Sequence, residues 1–142
     1  MRGASHTIGA YLTAALFAVA LSACQGANPV KPALESGRPD VIAYAIEGSY
    51  TIVQGKALAI VQNPSTPQEL KDAIASIDAK ANPILDTMRP LAKEAEALRA
   101  SIAAGGSGQE RLATVLLDLD RLVNEVSPLV NELLAAIAKA GG

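Results

Sequence analysis

From Leu70 to Ile102 the apolar residues recur at steps that alternate between four and three. The series is Leu70, Ile74, Ile77, Ala81, Ile84, Met88, Leu91, Ala95, Leu98 and Ile102. Steps of three and four bring side chains back to one face of an α-helix, whereas a half-buried strand repeats every two residues. A second run does the same through Leu112, Leu116, Leu119, Val123, Val126, Val130, Leu133 and Ile137. Val115, Leu122, Leu129 and Ala136 widen its stripe, as expected of a helix that touches two neighbours at once. Gly105, Gly106 and Gly108 separate the two runs, so the spacing predicts two long helices joined by a short turn into an antiparallel hairpin.

A third helix is expected upstream. Ala43, Ile46, Tyr50, Val53, Ala57 and Ile60 keep the same period over a stretch too long for a strand, despite the β-branched residues around Tyr50 to Val53. Pro39 and Asp40 suit a first helical turn, and Asn63-Pro64 suits an end. Val41, Ala45, Gly48, Ile52, Gly55 and Ala59 form a second, mostly small stripe, read as a surface for packing against the other helices. Thr66 with Glu69, and Ser107 with Glu110, have the spacing of capping boxes. Pro83 and Pro90 fall inside one long helix and Pro128 inside the next, where kinks or a short break are expected. The predicted architecture is all-α, a three-helix bundle or a long antiparallel hairpin with a packed third helix. Its helices cover about 40–62, 67–104 and 108–140 within a helical domain of residues 39–142.

The residues before this domain read differently. Arg2 supplies a thin positive start, and Ile8 to Leu21 is almost wholly apolar, about 14 residues and short of the roughly 20 that span a bilayer. Leu21-Ser22-Ala23-Cys24 follows, and the chain turns polar at once. A thiolate is the nucleophile in this stretch that can accept a diacylglyceryl group. The four residues resemble the lipobox of bacterial lipoproteins. That resemblance implies a signal peptide at 1–23, cleavage between Ala23 and Cys24, and lipid on Cys24. An uncleaved anchor helix is the alternative, against which the abrupt end of the apolar run speaks. Residues 24–38, with Gly26, Pro29, Pro32 and Gly37, are expected to be a flexible tether. Gln25 stands where an Asp would favour inner-membrane retention in enteric-type sorting, so the expected site is the outer membrane with the body in the periplasm.

Composition narrows the chemistry. With Arg2 set aside, 11 basic side chains face 14 acidic ones, which gives no basic footprint for nucleic acid. The single histidine, His6, lies in the signal segment, and the single cysteine is Cys24. The remaining body has no Glu-x-x-His pair, no histidine-dependent triad and no internal disulfide. Asp118 with Asp120, Glu94 with Glu96, and Asp72 with Asp78 are its nearest carboxylate groupings. Interleaved with Lys71, Lys93, Arg99, Arg111 and Arg121, they read as solvated salt-bridging faces. No catalytic residue, metal or cofactor is expected beyond the covalent lipid on Cys24.

The whole pattern also resembles, loosely, the small helical lipoproteins of prophage and phage genomes. The anchor, the tether and a body without catalytic groups lead to the expected function, a non-catalytic envelope adaptor that contacts another envelope protein or peptidoglycan. A carrier of a small hydrophobic ligand or lipid is the alternative, and homo-oligomerisation through the wide stripe of the Leu112–Ile137 helix is a separate expectation. The heptads invite comparison with the murein-linked outer-membrane lipoprotein. Here Lys139 is followed by Ala140, Gly141 and Gly142, which departs from its terminal lysine.

Overall fold

A computed structural model describes residues 30–141. The order is a short helix α1 (Val30–Glu35), then three long ones, α2 (Pro39–Gln62), α3 (Gln68–Ala103) and α4 (Gln109–Ala140). No strand occurs among the described residues. Each long helix packs against the other two, and α1 packs against α2. Polar links between α2 and α3 run Asp40–Arg99, Tyr44–Glu96, Glu47–Arg89 and Tyr50–Asp78, so α3 descends as α2 ascends. The turn into α4 reverses the chain again, giving the up-down-up bundle expected of an all-α chain with short connections.

The core lies on the axis between the three helices. From α2 it takes Ala43, Ile46, Tyr50, Val53 and Ala57. From α4 come Val115, Leu119, Leu122, Val123, Val126, Val130, Leu133 and Ala136. Burying each larger aliphatic side chain contributes about 1.5–3 kcal/mol relative to exposure. The α3 face departs from strict heptads. Ile74, Ile77, Ala81, Met88 and Ala95 are buried as expected, but Leu85 and Ala92 complete the face while Ile84 and Leu91 are only half-buried. A straight helix has 3.6 residues per turn, so a seven-residue pattern drifts round it by about 20° per heptad. α3 also serves two neighbours, and both positions at each step find cover.

Several local expectations are corrected. The stretch 30–35, expected to be tether, is helical, and Ala33 is buried against Ala45 of α2. Neither capping box forms. Pro67 and Gly108 occupy the cap positions of α3 and α4, and neither helix has a side-chain cap. The reason at α4 is Gly108 itself, whose φ of 136° places the turn one residue beyond Ser107. The prolines do not break their helices: α3 continues through Pro83 and Pro90, and α4 through Pro128. All three are exposed, as are Ala79, Asp86 and Asn124, whose carbonyls lose their helical donor and can turn to water. The small stripe of α2 is not packed against α3 or α4. Ala45 meets α1, but Gly48, Ile52, Gly55 and Ala59 are exposed, and a Cβ added at either glycine would touch nothing within 4 Å.

Candidate functional site

The edge of α2 that faces α3 is polar along its length, because Asp40, Tyr44, Glu47 and Gln54 recur at helical steps. Each finds a partner on α3. Tyr44 donates its hydroxyl to Glu96 at 3.0 Å, and Arg89 donates its Nε to Glu47. These links flank the core and fix the register of the two helices. Two of the clusters along this seam are more than surface pairs.

At one end Asp40 is 4% exposed, the most deeply placed charge among the described residues. Arg99 donates Nε to Oδ2 at 3.0 Å and Nη2 to Oδ1 at 3.2 Å, and Arg38 adds Nη2 to Oδ2 at 2.7 Å. A planar guanidinium matches the two carboxylate oxygens in this forked arrangement. Burial pushes the Asp40 carboxyl up, but the hydrogen bonds and charges of Arg38 and Arg99 outweigh it and hold the group below its ordinary range. The cluster joins the α1–α2 connection to the far end of α3. Its chemistry is structural, since two guanidinium groups offset the charge of a buried carboxylate.

Towards the other end Asp78 accepts from three neutral donors. The Tyr50 hydroxyl and Gln54 Nε2 (3.0 Å) reach Oδ1, and Asn82 Nδ2 (2.9 Å) reaches Oδ2. Tyr50 and Gln54 lie one turn apart on α2, as Asp78 and Asn82 do on α3, so two i, i+4 pairs close on each other. Burial, and then the hydrogen bond and charge of Asp78, push the Tyr50 hydroxyl well above the ordinary tyrosine range. Beside this cluster a groove of about 400 Å³ opens between α2 and α3. Ala57, Leu58, Val61, Ile74 and Ala75 make it apolar, and Thr51, Gln54 and Asp78 bring polar atoms to its rim. Gly55 and Ala75, both small, are also on its lining.

The lipobox residues Ala23 and Cys24 lie outside the described residues. The carboxylate groupings do not act in pairs. Glu94 is held by Arg111 at 2.6 and 2.9 Å on the α3–α4 side, while Glu96 turns to Tyr44 on α2. Asp72 accepts from Gln68 at 2.8 Å and Asp78 faces α2. Asp120 accepts from Asn124 at 3.3 Å, one turn on. Among the described residues no three His, Cys, Asp or Glu side chains gather where they could hold a metal ion. Arg99 departs from the solvated-face reading, since its partner is buried. Sequence reasoning missed both Asp40 and Asp78 as cluster centres. The signal for Asp78 was present in the matching i, i+4 pairs, whereas nothing local distinguished Asp40 from an ordinary first-turn acid. No family model, curated protein or solved structure matches the chain.

Proposed function

We propose that the chain is an envelope lipoprotein, held in a membrane by lipid on Cys24, whose helical body is a non-catalytic adaptor. The carrying observation is Leu21-Ser22-Ala23-Cys24 directly after an apolar run of about 14 residues. In support, no helix among the described residues is long and apolar enough to cross a membrane, so the body offers no span of its own there. The polar seam clusters are engaged in holding helices together, which suits a scaffold. Exposed Ile52, Leu58 and Leu117 offer apolar contacts to a partner in the envelope, a protein or peptidoglycan. The outer membrane, with the body in the periplasm, is the proposed location, and a phage or prophage origin is part of the same reading.

The test is fractionation. Native protein is expected in the membrane pellet, and Cys24→Ser in the soluble fraction with its helical content unchanged. A Cys24→Ser protein that still pellets with membranes overturns the anchor.

A second reading, a carrier of a small hydrophobic ligand, is favoured by the α2–α3 groove. Mass spectrometry of protein extracted from membranes separates the two: a copurified small hydrophobe supports the carrier, and a copurified envelope protein supports the adaptor.

A further inference from the structure

The α2–α3 groove has a charge asymmetry. Its walls are aliphatic, from Ala57, Leu58 and Val61 on one side and Ile74 and Ala75 on the other. The charged group on its lining is Asp78. Four arginines of the body go to other acids: Arg38 and Arg99 to Asp40, Arg89 to Glu47 and Asp86, Arg111 to Glu94. Asp78 instead takes its three hydrogen bonds from a phenol and two amides. Neutral donors orient a carboxylate without cancelling its charge. A carboxylate has about four acceptor positions, and three are used, two on Oδ1 and one on Oδ2.

A preoriented negative charge at the rim of an apolar groove complements a cation that carries an aliphatic tail. We infer that this groove binds a small amphiphilic cation, a primary alkylammonium, with its ammonium against Asp78 Oδ2 and its chain between Leu58, Val61 and Ile74. The volume, about 400 Å³, lies within the range of small-molecule sites. An ammonium is a three-donor point charge and needs no planar fork, so it fits a carboxylate with one open position. An alkyl carboxylate would meet like charge at the same place. The inference rests on the carrier reading and adds the chemistry of the ligand's head.

The experiment compares three probes of equal chain length (hexylammonium, 1-hexanol and hexanoate) on the full chain carrying Cys24→Ser. Calorimetry, with amide chemical shifts to locate the site, is the readout. Hexylammonium is expected to bind about tenfold or more tightly than hexanol, with hexanoate weakest. Asp78→Asn, which removes the negative charge, is expected to erase the preference for the cation over hexanol. Ala75→Leu, which fills the groove, is expected to abolish binding of all three. Equal binding of hexylammonium and hexanol overturns the charge inference and leaves the carrier reading standing. Saturation by none of the three overturns both.

Discussion

Arg99, on the last third of α3, holds both oxygens of Asp40, in the first turn of α2, at 3.0 and 3.2 Å. The two residues are 59 positions apart in the chain, and Asp40 is almost wholly buried. This is a tertiary ion pair that closes the bundle at the end where α1 joins it. Truncating Arg99 leaves a buried carboxylate with Arg38 alone. Breaking a buried pair costs about 3–5 kcal/mol, and the remaining Arg38 and the partial exposure of Arg99 lower that to about 2 kcal/mol for Arg99→Ala. Urea titration of the two proteins measures it. A loss below about 0.5 kcal/mol, the level of a surface pair, is the contrary result.

The same pair sets a pH dependence. The Asp40 carboxyl titrates lower in the fold than in the unfolded chain. Its contribution is therefore complete above about pH 4, the ordinary carboxylate range, and is lost as pH falls through the lower folded value. Glu94, lowered by its hydrogen bond from Arg111, has the same sign at the surface. Thermal melts taken from about pH 5 down to about pH 2 should fall more steeply for the native chain than for Asp40→Asn. Parallel slopes would count against the clamp.

Tyr50 works in the opposite direction. Its hydroxyl titrates higher in the fold than the ordinary value of about 10, because burial and Asp78 both disfavour the phenolate. The stabilisation is present below that ordinary value and is lost as pH rises through the folded one. Near-ultraviolet absorbance should show one tyrosine ionising only as the helices melt in alkali. Tyr50→Phe should remove that late step and cost about 1–1.5 kcal/mol at neutral pH, from the lost hydrogen bond to Asp78.

Glycines separate into those the fold requires and those it does not. Gly108 has φ 136°, and an added Cβ would lie 2.9 Å from Leu98 Cδ2. Gly108→Ala should therefore destabilise by about 1–3 kcal/mol. Gly48 and Gly55 sit inside α2 with nothing within 4 Å of an added Cβ. Alanine at either should stabilise by about 0.5–1 kcal/mol, since glycine in a helix interior carries the larger entropy cost. Chemical denaturation of the three single variants gives the comparison directly, and a loss at Gly48 or Gly55 would point to a backbone role there.

The residue pattern was sufficient for the all-α class, the three long helices and most of the core. Spacing by three and four is a property of the helix itself, so Ile74, Met88, Leu119 and Val126 announce their face without knowledge of a partner. Leu85 and Ala92 could not be separated from Ile84 and Leu91 in that way. Neighbouring residues on a broad stripe differ by about 100° of helical rotation, and the positions of two partner helices decide which is covered. Asp40 and Asp78 are cluster centres because α3 runs antiparallel to α2 in one register, which brings Arg99, Gln54 and Tyr50 to them from distant parts of the chain. Local pattern thus determined where the three long helices form. Burial of charge, the α2–α3 groove and the docking of α1 were decided by packing, since each depends on atoms that only the folded chain brings together.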